Sequence, residues 1–191
     1  MGGGPAGNTA ATHAARHGAE VTLIESDIVG GSAHLWDCIP SKAMIATGGA
    51  NSFLHRAKGM GLVEVDSSID IESLRGRIQK IEGHLETSVR QLLDSQGVRM
   101  IHGRGRLKGP HEVVAETADG MVELEADAIL LATGSSPRIP EWAEVDGQRV
   151  LTTRHAYPPP VLPEHLVVIG SGVTGVEFVH LFTSLGSEVS L

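Results

Sequence analysis

The chain has 191 residues, with 15 Lys and Arg against 23 Asp and Glu, a formal charge of −8. That balance argues against a nucleic-acid partner, which needs a basic face, while 41% hydrophobic and 20% charged residues place the chain among sequences that fold. The single cysteine, Cys38, excludes an intrachain disulfide framework and a multi-thiolate zinc site, and no run nears the ~18 apolar residues of a membrane span. The amino terminus lacks the basic and apolar regions of a secretion signal, so a cytoplasmic, reducing address is expected.

The chain opens on Gly2-Gly3-Gly4-Pro5-Ala6-Gly7, a Gly-x-Gly-x-x-Gly pattern. A helix-compatible stretch follows, then Gly18 as a stop and the run Val21-Thr22-Leu23-Ile24 ending in Glu25. In such a unit the first glycine makes the tight turn, the second lets a pyrophosphate approach the backbone, and the third lets helix and strand pack closely. The helix N-terminus offers unpaired amides to the phosphates. Glu25, 18 residues past Gly7, is placed to accept ribose hydroxyls. His13 and His17 lie one helical turn apart, but with no third ligand they read as a solvated face, and no metal is expected.

Pro40 to about Gly48 reads as a helix with proline in its first turn. Ile71, Leu74, Ile78, Ile81, Leu85, Val89 and Leu92 mark one apolar stripe, a core face, on a helix from about Ile71 to Gln96. Val98–His102, His111–Glu116, Met121–Leu124 and Ala128–Leu131 read as short strands, with Ala118-Asp119-Gly120 as a hairpin turn. Tyr157-Pro158-Pro159-Pro160 reads as a stiff linker. Leu166-Val167-Val168-Ile169 then runs into Gly170-Ser171-Gly172-Val173-Thr174-Gly175. Sliding the sequence by 168 residues places Gly2, Gly4, Gly7, Gly18, Glu20, Val21 and Leu23 over Gly170, Gly172, Gly175, Gly186, Glu188, Val189 and Leu191 without a gap. The same strand-turn-helix-strand unit therefore occurs twice. The expected fold is α/β and Rossmann-like: two dinucleotide-binding βαβ units with an inserted β-meander. Only Met1 precedes the first glycines, and Leu191 ends the second copy two residues before the equivalent of Glu25. The expectation is thus a fragment truncated at both ends, with 1–149 as a first dinucleotide domain lacking its first strand and 150–191 as the start of a second.

Gly30-Gly31-Ser32-Ala33-His34-Leu35-Trp36-Asp37-Cys38-Ile39-Pro40-Ser41-Lys42 resembles the flavin-site segment of the class I pyridine nucleotide-disulfide oxidoreductases. That family's pattern is Gly-Gly-Thr-Cys-x-x-x-x-Cys-x-Pro-Ser-Lys, between an FAD fingerprint and an NAD(P)H fingerprint. The resemblance spans essentially the whole chain and includes Leu131-Ala132-Thr133-Gly134-Ser135-Ser136-Pro137 and Gly172 to Glu177. It implies an FAD domain over 1–149 and the start of an NAD(P)H domain over 150–191. FAD would be held by Gly2, Gly4, Pro5, Ala6, Gly7, Glu25, Ser26, Gly31, Ser32, Arg104, Gly105, Ala132, Thr133 and Gly134. Gly170, Gly172, Val173, Thr174 and Gly175 would face NAD(P)H. Cys38, Lys42 and Glu177 would form the catalytic set, with Lys42 beside the flavin N5 and paired with Glu177 under the nicotinamide. A cation there favours the anionic reduced flavin.

The departure from the family is Ala33, at the position of the first cysteine, so Cys38 has no partner for an internal disulfide. Near a helix start a Cys38 thiolate would be stabilised; a small inherited residue is the alternative reading. Without a dithiol relay, electrons must pass to a diffusible acceptor. With Cys38 kept, Ala33 substituted and Asp37 acidic, the segment resembles most the actinobacterial NAD(P)H:quinone reductases of this family, with a quinone as the small-molecule acceptor. Dihydrolipoamide dehydrogenase and soluble transhydrogenase are alternatives, the latter losing the opposite cysteine, and a non-catalytic dinucleotide-binding fragment is another. The resemblance also implies a homodimer, a carboxy-terminal interface domain absent from this chain, and a choice between NADH and NADPH made just past Leu191.

Overall fold

Gly4 in extended backbone (φ −75°, ψ −176°) as N-cap and Pro5 behind it start α1 (Pro5–Arg16), since proline's fixed φ suits the first turn and its missing N–H is not needed there. The structure is a computed structural model and describes residues 1–63 and 65–191. The elements continue as β1 (Thr22–Glu25), a π-turn (Ala33–Cys38), α2 (Ile39–Arg56), a 3-10 turn (Ala57–Met60), α3 (Ile71–Ser95), β2 (Arg99–His102), β3 (Arg104–Leu107), β4 (Glu112–Thr117), β5 (Gly120–Glu125), α4 (Thr153–Ala156), β6 (His165–Val167), α5 (Val173–Leu185) and β7 (Glu188–Ser190). They divide into two compact units, Met1–Trp36 with Ile81–Arg138, and Asp37–Lys80 with Ile139–Leu191.

In the first unit β1 pairs in parallel with β2, Thr22 opposite Arg99 through Glu25 opposite His102. Met1 and Gly2 lie along the other side of β1: the Gly2 amide donates to the Ile24 carbonyl at 2.8 Å, and the Ala132 amide donates to the Met1 carbonyl at 2.8 Å. The expected strand at Ala128–Leu131 does not form. Its backbone bonds to Met1 through Leu130 and Ala132 only, which is too few consecutive pairings to make a ladder. β3, β4 and β5 form the antiparallel meander, and the turn between Thr117 and Gly120 is closed by the Thr117 hydroxyl donating to the Gly120 carbonyl at 2.9 Å. Ala11, Leu23, Val29, Leu93 and Val98 form one core cluster, while Ile24, Val113 and Ala115 pack with Met1 and Ile101 in another.

In the second unit Met44 of α2, Leu74 and Ile78 of α3, and Leu181, Phe182 and Leu185 of α5 make the core. β6 and β7 pair in parallel, His165 opposite Glu188 through Val167 opposite Ser190. The segment read as a linker is packed instead: Pro159 is fully buried, and Arg75 donates to the Pro159 and Pro160 carbonyls at 3.0 and 3.3 Å. Helix α2 runs past Gly48, where the sequence suggested an end; this glycine does not stop the helix but lets α2 approach Ser184 of α5, with no room for a side chain. A Cβ there would collide with Ser184 Oγ and stand 3.0 Å from its Cβ, and that hydroxyl is pinned by its 2.7 Å bond to the Leu181 carbonyl. Gly48→Ala should therefore destabilise the chain by about 1–3 kcal/mol despite alanine's better helix propensity. Adding Ser184→Gly should recover most of the loss in thermal melts followed by circular dichroism.

Candidate dinucleotide sites

The first unit gathers the residues of the first glycine fingerprint. Gly2 adopts φ +94°, and a Cβ at Gly7 would collide with the Gly2 carbonyl oxygen, so the turn and the helix start need both glycines. Gly31, at φ +83°, lies against Gly4 so closely that a Cβ would overlap the Gly4 Cα, and the Gly30 amide donates to the Gly3 carbonyl at 2.8 Å. The result is a bare backbone cradle at the N-terminus of α1, where the first-turn amides of Ala6 and Gly7 have no acceptor within the helix. Glu25, at the end of β1, accepts from the Gly3 amide at 2.5 Å and the Asp27 amide at 2.7 Å. These bonds leave lone pairs free for ribose hydroxyls. The turn needs residues without Cβ at Gly2, Gly7 and Gly31, whose added Cβ atoms would strike neighbouring backbone, and the bare backbone left at the start of α1 fits a pyrophosphate.

The remaining residues expected around FAD also fall in this unit, with Ser26 exposed beside Glu25 and Ser32 next to Gly31. Ala132 borders the turn, its carbonyl being the first atom that a Cβ at Gly2 would meet; Thr133 and Gly134 follow. Arg104 lies exposed on β3 opposite Glu116. Gly105 is covered by its neighbours, since a Cβ there would stand 2.7 Å from Met1 Cε and 3.4 Å from Ile24 Cγ2. Its smallness thus has a packing reason whatever else it does. The His13 and His17 rings lie with centroids 4.4 Å apart and planes tilted by 33°, and His17 Nδ1 lies 2.9 Å from the His13 carbonyl.

The second unit repeats the motif in detail. Gly170 adopts φ +117°, Gly172 caps α5 at φ −72° and ψ −176°, and a Cβ at Gly175 would collide with the Gly170 carbonyl oxygen. Val173 and Thr174 occupy the first turn. Two turns of sequence 168 residues apart thus share one backbone solution.

The same unit holds the proposed catalytic residues. A π-turn bonds residues five apart, the spacing of the family's two cysteines, and here it begins at Ala33 and ends at Cys38. Cys38 is a free, exposed thiol at the head of α2. Lys42, one turn into α2, pairs with Glu177 of α5. Burial pushes the Glu177 carboxyl up, but hydrogen bonds from Lys42 and Ser41 and the Lys42 charge outweigh it and hold the group below the ordinary carboxylate range. Two neighbours were given no role in the sequence reading. Ser41 is 2% exposed and accepts from Lys42 Nζ at 3.1 Å. Tyr157 stacks on Phe178 at 5.0 Å and 2°, and burial, then the charges of Glu177, Asp37 and Cys38, push its phenol well above the usual range. The Ser41 position was readable from Pro-Ser-Lys; Tyr157 was hidden by the prolines after it.

Among the described residues no helix is long and apolar enough to cross a membrane. The family model for pyridine nucleotide-disulphide oxidoreductases matches residues 1–191. A Mycobacterium tuberculosis protein named NAD(P)H dehydrogenase (quinone) is 42% identical over 203 residues, covering 100% of this chain and 41% of its own length. A Zymomonas mobilis dihydrolipoyl dehydrogenase is 34% identical over 192 residues, with the same coverages. The crystal structure of LpdA from Mycobacterium tuberculosis superposes with a TM-score of 0.88 at 42% identity, over 99% of this chain and 42% of that one. The chain therefore spans about two-fifths of the length of the curated relatives it matches. With two glycine cradles of one design and the family match along its whole length, the chain belongs to the pyridine nucleotide-disulphide oxidoreductases.

Proposed function

We propose that the protein is an FAD-dependent NAD(P)H oxidoreductase that reduces a quinone-type acceptor without an internal disulfide in the relay. The observation that carries this reading is Ala33 at one end of the π-turn with Cys38, the chain's single cysteine, at the other. A Mycobacterium tuberculosis relative named for a quinone supports the acceptor class. In this reading 1–149 is the FAD domain and 150–191 opens the NAD(P)H domain, and the working protein is a cytoplasmic homodimer. Bound FAD would supply the two-electron chemistry between NAD(P)H and the quinone; the hydride's two electrons and proton, with one further proton from solvent, give NAD(P)+ and the quinol.

The chain's own residues bind and orient. The glycine cradle of Gly2, Gly4, Gly7 and Gly31 admits a pyrophosphate to backbone amides, and Glu25 orients the ribose. Lys42 supplies the positive charge that favours hydride arrival at the flavin, and Glu177 holds that ammonium in place. Val173 and Thr174 present the second helix start to the nicotinamide nucleotide.

The test is a visible absorption spectrum of the protein at the length of its curated relatives, of which this chain spans about two-fifths and is by itself expected to be inactive, then NADH and NADPH oxidation with a quinone or with lipoamide. Bound flavin with quinone turnover and no lipoamide turnover is the expected result. Lipoamide turnover, or thiol-dependent turnover lost in Cys38→Ser, would overturn the disulfide-free relay; failure to bind flavin would leave a non-catalytic module.

A further inference from the structure

The Lys42 ammonium donates to two acceptors, Glu177 Oε1 of α5 and Ser41 Oγ of its own helix, the latter at 3.1 Å. Ser41 in turn donates its hydroxyl hydrogen to the Cys38 carbonyl at 3.2 Å, one turn back along α2. A serine hydroxyl has one hydrogen and two lone pairs, so with the hydrogen spent on Cys38 its oxygen is left to accept from the lysine. The two acceptors differ in kind. Glu177 brings a full charge on a side chain that is 21% exposed, whereas Ser41 brings a neutral oxygen on a residue that is 2% exposed and tied to the backbone of α2. Lys42 itself is 62% exposed along a flexible four-carbon stem, and a single ion pair leaves such an ammonium free to roll about the line joining it to its partner. Its three hydrogens lie at tetrahedral angles. One acceptor fixes the direction of one hydrogen; two acceptors fix all three.

We propose that Ser41 is a positioning residue: its oxygen, oriented by the Cys38 carbonyl, is the second pin on the Lys42 ammonium, and together with Glu177 it sets the direction of the ammonium's third hydrogen. The inference rests on the reading that the intact Lys42–Glu177 pair serves flavin reduction, and it gives the serine of the Pro-Ser-Lys segment a task that the ion pair alone does not perform. Charge comes from the lysine and is neutralised by the glutamate; direction comes from the serine. Cys38 takes part through its main-chain carbonyl, independently of its thiol.

The test has two arms, both on the protein at the length of its curated relatives. The first follows hydrogen exchange of the Lys42 ammonium by nitrogen NMR in flavin-free protein, the signal being assigned by its loss in Lys42→Met. Ser41→Ala should speed that exchange about tenfold, the order expected when one hydrogen bond to a charged group is lost. The second is a double-mutant cycle on flavin reduction at saturating NAD(P)H. Ser41→Ala should slow reduction about tenfold when Lys42 is present and change nothing further in the Lys42→Met background. An unchanged exchange rate in Ser41→Ala would overturn the proposal. So would an equal slowing in both backgrounds, because a serine that only supports the fold acts with or without the lysine. Should Ser41→Ala fail to fold, Ser41→Cys, which keeps a side chain of similar size but offers only a weak sulfur acceptor, is read the same way. The exchange arm uses neither flavin nor acceptor. Faster exchange in Ser41→Ala, with no flavin reduction in the wild type, would keep the serine's role and sink the oxidoreductase reading; wild-type reduction with exchange unchanged in Ser41→Ala would sink the serine's role alone.

Discussion

Gly31→Val should abolish flavin retention, raising the FAD dissociation constant more than about 100-fold, for two additive reasons. The residue adopts φ +83°, where a side chain costs about 1–2 kcal/mol and a β-branched one is a steric outlier. The added Cβ would also overlap the Gly4 Cα and stand 3.1 Å from Pro5 Cδ. Both neighbours are parts of the turn that starts α1, so no flexible side chain can yield, and relief must come from moving the phosphate cradle itself. The two glycine segments are zipped by the Gly30 amide on the Gly3 carbonyl, and the Gly31 carbonyl accepts from the Leu35 amide at 2.9 Å. A shift therefore propagates into the helix N-terminus on one side and the π-turn on the other.

Gly18→Ala separates strain from crowding. Gly18 has nearly the same backbone, φ +87°, but nothing lies within 4 Å of its added Cβ. It should lose about 1–2 kcal/mol of stability and keep its flavin. Fluorescence-quench titration with FAD alongside thermal melts gives both readouts. Wild-type affinity in Gly31→Val, or equal loss in Gly18→Ala, would show that the cradle is not the FAD site.

The parts of this fold legible in sequence are those whose physics is local. The glycine fingerprints could be read because a left-handed turn and a close helix start each demand a residue without Cβ, and the structure repeats those demands at Gly2 and Gly170. The helix over Ile71–Ser95 emerged from periodicity to within a residue at each end. Its stripe did not survive to the last turn. Ile71, Ile78, Leu85 and Leu92 form a strict heptad, which drifts about 20° per repeat on a straight helix, so Leu92 is 43% exposed and Leu93 takes the buried place. What was hidden is set at long range. β3, Arg-Gly-Arg-Leu, has no apolar alternation and is a strand because β4 pairs with it, helped by the Arg106–Glu116 ion pair. Gly48 looks like a helix stop until Ser184 is placed against it. Lys42 is an ordinary motif lysine until Glu177, 135 residues on, pairs with it.

Lys42→Met should slow flavin reduction by NAD(P)H about 100- to 1,000-fold, the usual loss when a preorganised charge is removed from the place where charge develops, while flavin binding is unchanged. In the proposed reading the pyrophosphate is held at Gly2–Gly7 and Gly31, which Lys42→Met leaves intact. Glu177→Gln should cost less, because the amide oxygen still accepts from the ammonium. The two variants should also differ in pH dependence. The Glu177 carboxyl is held below the ordinary carboxylate range, so the ion pair is complete at neutral pH and above and is lost as pH falls through the folded-state value. Reduction in the wild type should therefore decline on that acid limb, and the limb should be missing in Glu177→Gln, where nothing remains to protonate. Because the Lys42 side chain is 62% exposed, added salt should weaken the pair and shift the wild-type limb upward. Stopped-flow flavin bleaching across pH, at low and high salt, measures all three. A Lys42→Met protein that reduces its flavin at the wild-type rate would remove the pair from the hydride step and leave it as a helix-to-helix tie between α2 and α5.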